Sequence, residues 1–450
     1  MVTTLLLAGA AIAITVVGLL RARDLCAVSP FVVLLVTGCL VAIAYPLGSS
    51  FVEVRSWRSL EYVSEAVVRA CQVDWLAYLS GLVLATFVGR PREGGRPTEA
   101  PLGDAGLRYR DTFLATGLIL IGLLLYVQMF RSLSLADLMD YENFAAKHRN
   151  LEGMGMFVYG IYAVAIGCFW AEAGAVSPRV RLMARLVAGG LVGWSVLVLG
   201  QRSYAVLVLL GYASIFARSR GWRIRSVHPA LLVGVPLLWI FLETFALSRG
   251  LYVDSWIGAL QEAASRLWTG EFVAAVIGGS EFTAPFVTAG EIRHAVEAGM
   301  LDGYNPVQGL QTLVPRALHP DRPPTLAQWF AANFYPELAA RGGAAAFSIV
   351  AEAWLAFGHV LGPGVYGFAL GWLSWRLEGR IAAGPTSLIA RFSPFLLYPA
   401  LISQRSASEV LMKTVITGWF LVVFVASLRW LFGRRLPQGA APLVPESSGA

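Results

Sequence analysis

The sequence predicts an all-α polytopic integral membrane protein, with about eleven transmembrane helices and one large loop on the outer face. Three observations predict it. Hydrophobic residues make up 57% of the chain and charged residues only 14%, with a mean hydropathy of +0.64, a balance that leaves water a poor solvent for most of the surface. Apolar runs of about 15 to 22 residues, the length that crosses a hydrocarbon core of about 30 Å as a helix, recur from end to end. The short connections between them alternate in arginine content, which sets orientation by the positive-inside rule.

The expected spans are 2–20, 31–48, 73–89, 113–130, 157–173, 186–200, 204–217, 228–247, 360–375, 385–402 and 411–431. The first has no positive residues before its apolar core and is followed by Arg21 and Arg23, so it reads as a retained span. One face then carries Arg90, Arg92, Arg96, Arg108 and Arg110, next Arg179, Arg181 and Arg185, next Arg218, Arg220, Arg223 and Arg225, next Arg376, Arg380 and Arg391, and finally Arg434 and Arg435. That face is cytoplasmic. The N-terminus then lies outside and the C-terminus inside.

Two stretches strain this topology. The apolar segment 343–358 holds Glu352 at its middle, and counting it as a span would put Arg376, Arg380 and Arg391 outside, so it is expected to be re-entrant or interfacial. The run 360–375 is short for a full crossing, which a locally protein-lined passage tolerates. The chain thus divides into a bundle of about eight spans over 1–248, an outer loop over 249–342, the re-entrant stretch and last helices over 343–435, and a disordered cytoplasmic tail over 436–450. In the loop, Trp256, Leu260, Ala264 and Leu267 fall at helical spacing, as in a helix lying on a membrane surface.

The remaining composition excludes more than it assigns. The formal charge of +7 is spread between apolar runs rather than gathered on a soluble face, so topology explains it better than nucleic acid does. The four cysteines, Cys26, Cys39, Cys71 and Cys168, have no metal-like spacing. There is no GxxxxGK[ST] phosphate loop, no HExxH and no DxD pair, so a cytoplasmic ATPase or nucleotide-sugar transferase is disfavoured and no metal or cofactor is expected.

Positive charge does occur at the outer ends of spans, where it is least expected: Arg202 in Gly200-Gln201-Arg202-Ser203, Arg249 in Ser248-Arg249-Gly250, and Arg405 in Gln404-Arg405-Ser406. Each alone reads equally well as a side chain reaching for lipid headgroups. Together they suit a lipid-linked phosphate or pyrophosphate, because a guanidinium is always charged and grips phosphate oxygens in bidentate fashion. The loop adds Glu271, Glu281, Glu291 and Asp302, together with Arg293, His294, Arg316, His319 and Arg322. Most of these read as solvated or loop-bracing charges, and one carboxylate with a raised pKa would serve as a proton acceptor. Tyr304, Trp329, Phe330, Phe334 and Tyr335 are candidates for stacking on sugar rings or for anchoring the loop at the interface.

Across its second half the chain resembles the Wzy-type polymerases of oligosaccharide repeat units. The residues that carry the resemblance are the Gly200-Gln201-Arg202-Ser203-Tyr204 turn, the outer loop with Leu313-Val314-Pro315-Arg316 and His319-Pro320-Asp321-Arg322-Pro323, the Glu352-Ala353-Trp354-Leu355-Ala356-Phe357-Gly358 stretch, and Gln404-Arg405-Ser406. The first half is similar in hydropathy alone. The resemblance implies a multi-pass protein of the bacterial inner membrane, of the membrane-embedded GT-C class. Its implied activity is a metal-independent glycosyl transfer on the periplasmic face, moving a growing glycan from undecaprenyl pyrophosphate to the non-reducing end of a lipid-linked repeat unit. Implied partners are those lipid-linked oligosaccharides, membrane lipids and a Wzz-type chain-length co-polymerase. On this reading Arg202, Arg249 and Arg405, and more weakly Arg293, hold the pyrophosphate. Arg316 and Arg322 contact the glycan or pyrophosphate, and Glu281, or else Glu352, accepts the proton. Glu352 also reads as a buried partner for one of the arginines. The alternatives are an O-antigen ligase-like transferase, which differs in its acceptor, and a polysaccharide transporter or flippase, for which internal symmetry would be expected.

Overall fold

The computed structural model describes residues 2–51, 65–88, 105–129, 159–174, 176–198, 202–226, 283–299, 321–340, 347–383 and 387–433, with single residues and short pieces between 258 and 319. Among the described residues every regular element is a helix, and the extended pairing is one bridge between Cys26 and Arg223. The long helices of the N-terminal half are α1 (Val2–Arg21), α2 (Pro30–Phe51), α3 (Glu65–Ala85), α4 (Ala105–Met129), α5 (Tyr159–Ala173), α6 (Pro178–Gly193, continued by a π-turn over Trp194–Val198) and α7 (Arg202–Ser219). The outer-loop region contributes α8 (Thr283–Glu297), α9 (Leu326–Phe334) and α10 (Pro336–Ala340). Then follow α11 (Ile349–Phe357), α12 (Leu361–Ala383), α13 (Leu388–Ile402), a 3-10 turn (Ser403–Arg405) and α14 (Ser408–Gly433).

Four of these are long and apolar enough to cross a membrane: Val2–Arg21, Glu65–Ala85, Tyr109–Gln128 and Ser408–Leu428. Their outward faces are greasy. Leu6, Leu124 and Phe420 are 69%, 67% and 64% exposed, a pattern that makes lipid, not water, the matching solvent. The chain is therefore a helical membrane protein. Among the described residues each expected run overlaps a helix, and 228–247 lies outside them.

Small residues let these helices approach closely, as they do in lipid. A Cβ added at Gly367 would meet the Tyr78 carbonyl oxygen at 2.1 Å, and one at Gly371, a turn further on, would meet that of Leu82, a turn further on in α3, at 2.8 Å. α3 and α12 therefore run side by side and parallel. α1 is parallel to α3 as well, with Gln72 donating to the Thr4 carbonyl near one end and Gly18 against Val83 near the other. α4 and α5 are antiparallel, Gly122 facing Gly160 and Gly167 facing Ala115. These relative directions are the ones the arginine alternation requires.

Three expectations change. The short run 360–375 belongs to a helix of 23 residues, about 34 Å long. It continues because Arg218 Nη2 binds both Glu378 oxygens, at 3.2 and 3.3 Å, and Arg376 lies over the Trp372 ring. Arg391, counted among the arginines of the cytoplasmic face, is buried in an ion pair with Asp111. Among the described residues of 343–358, helix covers the nine residues of α11, about 14 Å, opened by a Ser348 cap and closed by Gly358 at φ 79°.

The loop region is also more deeply packed than a solvated loop. α8 buries Phe286 against the Tyr45 ring of α2, with centroids 5.1 Å apart. Phe330 of α9 packs on Phe334, Tyr335 and Phe347. Of the expected amphipathic stretch, Gly258, Gln261, Glu262, Ala264 and Ser265 are helical, while Trp256, Leu260 and Leu267 lie outside the described residues. The tail 436–450 lies outside them too.

Candidate functional site

The helices α3, α8, α11 and the start of α12 converge on one carboxylate, Asp74, buried within an otherwise apolar stretch of α3. Its Oδ1 lies 2.7 Å from His359 Nδ1 and accepts from the Val360 N–H at 2.8 Å, its Oδ2 accepts from Arg293 Nη1 at 3.1 Å, and Arg293 Nη1 lies 3.0 Å from His359 Nδ1. Arg293 also donates from Nε to Glu297 at 2.8 Å, and its guanidinium lies over the Trp354 ring, 5.9 Å from the centroid. Two carboxylates thus balance this arginine's charge. Val360 has φ 63°, a left-handed conformation unfavourable for a β-branched residue, and Asp74 offsets part of that strain by accepting its amide hydrogen.

A second carboxylate on α8, Glu291, faces away from this cluster into the loop packing. The Tyr335 hydroxyl donates to it, 2.7 Å from one oxygen and 2.9 Å from the other. Burial pushes the Glu291 carboxyl up to about 7, and the Tyr335 hydrogen bond pulls only partly against that.

Glu352 of α11 is buried, and its two oxygens accept from the Ser408 N–H and the Ser408 hydroxyl. Burial raises its carboxyl, and the Ser408 donors, with Tyr366 behind them, work in the opposite direction. Among the described residues a helix N-terminus holds this carboxylate rather than a guanidinium. Its neighbour in α14, Glu409, accepts from Leu326 N–H at 2.7 Å and Thr312 Oγ1 at 3.0 Å, tying α14 to α9.

The preceding 3-10 turn carries the late arginine. Phe347 N–H donates to the Arg405 carbonyl at 3.1 Å, and Gln404 Nε2 donates to the Leu34 carbonyl and the Tyr78 hydroxyl. The Tyr398 hydroxyl lies near Ser203 and Tyr162 and close to the charge of Arg405. Tyr162 in turn packs edge-on against Phe395. Ser203 at the start of α7 and Arg405 of the 3-10 turn, far apart in sequence, therefore both approach one phenol.

The expected site residues fall into separate places. Arg202 opens α7, and its side chain lies outside the described residues, as do Arg249, Arg316 and Glu281. Arg322 braces the loop backbone, donating from Nη1 to the Thr312 carbonyl at 2.6 Å and to that of Val314 at 2.8 Å. Arg293 joins the Asp74 cluster, and Arg405 joins Tyr398. No group among the described residues could hold a metal ion. Asp74 and His359 were not among the expected site residues. The signal in the sequence is an aspartate at the head of an apolar run, where an ionised side chain is rarely placed without a partner.

Comparison of the chain with protein-family models, with curated proteins and with solved structures gives no match.

Proposed function

We propose that the chain is a polymerase of lipid-linked oligosaccharide repeat units, of the Wzy type, with about eleven spans and a GT-C-like architecture. It acts on the periplasmic face of a bacterial inner membrane, its N-terminus outside and its C-terminus inside. A growing glycan leaves undecaprenyl pyrophosphate and joins the non-reducing end of the next lipid-linked unit, and a Wzz-type partner sets its length.

The observation that carries this reading is the approach of Ser203, next to Arg202 in sequence, and of Arg405 to Tyr398. Pyrophosphate is the leaving group wherever no nucleotide is available, and charge developing on it is best met by fixed cations in a water-poor site. Arg405, whose charge lies close to the Tyr398 phenol, supplies one such cation in this reading, and Arg202 and Arg249 are its proposed partners. Phe286 of α8 and Leu326 and Phe330 of α9 share one apolar cluster with Ala400 and Ala407, which flank the Arg405 turn, and such packing supports a site that excludes water while glycan is transferred.

The test uses the full-length protein in lipid nanodiscs. The substrate is the single-repeat lipid-linked oligosaccharide extracted from the native host after the gene for this chain is deleted. A ladder of glycans, formed with no second acceptor present, is expected. A single product that appears only when a different acceptor is added identifies a ligase, and flux of intact substrate across the bilayer without new glycosidic bonds identifies a transporter.

A further inference from the structure

We infer that His359 takes the proton from the acceptor hydroxyl and that Asp74 is its positioning residue. The inference rests on the glycosyl-transfer reading above. Asp74 accepts from Val360 N–H and from Arg293, and His359 Nδ1 lies 2.7 Å from its Oδ1 and 3.0 Å from Arg293 Nη1. In the proposed state the Nδ1 hydrogen faces the carboxylate, the shorter of the two contacts, while Arg293 keeps its hydrogen bonds to Asp74 and Glu297. Nε2 then carries the lone pair, and it makes no hydrogen bond among the described residues. The His359 side chain is 41% exposed, whereas Glu352 and Glu291 are buried with their oxygens already engaged.

The backbone holds the ring in place. His359 stands between two left-handed residues, Gly358 at φ 79° and Val360 at φ 63°, and strain of this kind concentrates where a side chain must be presented in one orientation. The groups that face the imidazole are Asp74 of α3 and Arg293 of α8, the latter paired with Glu297 and lying over the Trp354 ring of α11.

In the step itself, Nε2 accepts the hydroxyl proton as the acceptor oxygen forms its bond to the anomeric carbon of the donor glycan. The bond from that carbon to the pyrophosphate oxygen breaks, its electron pair leaving with the lipid pyrophosphate. The imidazolium then returns its proton to water.

The test compares variants of the full-length protein in nanodiscs with the same extracted lipid-linked repeat unit. In His359→Asn the side-chain amide can still donate to Asp74, while the proton acceptor is gone. The expected result is a fall in kcat of about 10²-fold or more, with KM within about threefold and thermal stability unchanged. His359→Ala is expected to recover activity with added imidazoles in proportion to their basicity, and it carries the test if the Asn variant fails to fold. Asp74→Asn is expected to lose activity that imidazole does not restore. A His359→Asn variant within threefold of wild type overturns the inference while wild-type ladders uphold the transfer reading. Rescue that follows the size of the added azole rather than its basicity likewise reduces His359 to a brace. A wild-type protein that extends no glycan overturns the transfer reading and this inference together.

Discussion

Ser408 donates both its backbone N–H and its hydroxyl to the carboxylate of Glu352, each at 2.6 Å. Glu352 therefore caps the start of α14 from a different helix, where a negative charge also complements the helix dipole. The carboxylate that sequence reasoning offered as a proton acceptor is occupied in joining α11 to α14. In Glu352→Gln one oxygen becomes an amide nitrogen that cannot accept, so one buried donor loses its partner. A loss of about 1–3 kcal/mol is expected, read as a lower melting temperature, while the folded fraction turns over at a near wild-type rate. A stable variant with kcat down 10²-fold would make Glu352 the base instead.

Glu291 should make stability depend on pH. Its carboxyl is raised from the ordinary 4.5 to about 7 by burial, so the folded state binds the proton more tightly than the unfolded one. This contribution is complete below the unfolded value and is lost as pH rises through the folded value, a fall on the order of 3 kcal/mol. Thermal unfolding of wild type from pH 4.5 to 8 should show it. Glu291→Gln should flatten that profile and be the more stable protein at pH 8, and parallel profiles for the two proteins would contradict the assignment.

The parallel contact of α3 with α12 positions the Asp74 cluster, because Asp74 and Val360 lie toward the same end of the two helices. Gly367→Ala places a methyl against the Tyr78 carbonyl oxygen, 2.1 Å from the ideal Cβ position, and backbone cannot yield as a side chain does. A loss of about 1–3 kcal/mol with reduced activity is expected. Gly189→Ala in α6, where nothing lies within 4 Å, serves as the control and should be neutral or slightly stabilising. Equal melting temperatures for the two variants would show that the helices are not held at this distance.

For the pyrophosphate clamp, Arg202→Lys and Arg405→Lys should each insert normally and make little or no polymer. Lysine keeps the charge but loses the planar fork. Normal ladders from both would return these residues to headgroup contacts. Arg322→Lys, by contrast, should act on loop stability, because its Nη1 is engaged by two backbone carbonyls.

Much of the helix pattern is legible in the sequence, because lipid as solvent demands long apolar runs and nothing else in this chain supplies them. The length of α12 is not. Arg376, Glu378 and Arg380 read as a boundary until Glu378 meets Arg218, a partner 160 residues away. The burial of α8 is hidden for the same reason. Glu291 and Arg293 look like surface charges, and what neutralises or binds them, Tyr335 and Asp74, comes from other segments. In the site, the arginine motifs are visible locally, but the approach of Ser203 and Arg405 to Tyr398 depends on how α7 and α13 pack. His359 carries no local signal beyond following the Glu352–Gly358 stretch, and its orientation by Asp74 exists only in three dimensions.

The most direct measurement counts both products of the proposed transfer, in nanodiscs with the extracted lipid-linked repeat unit and with EDTA present throughout. New glycosidic bonds are scored by the ladder and freed undecaprenyl pyrophosphate by chromatography of the lipid phase. One lipid pyrophosphate released per bond formed, at a rate unchanged by the chelator and abolished in Arg405→Lys, is the expected result. Bond formation without pyrophosphate release, or activity that vanishes in EDTA and returns with magnesium or manganese, would contradict an arginine-held pyrophosphate as the leaving group.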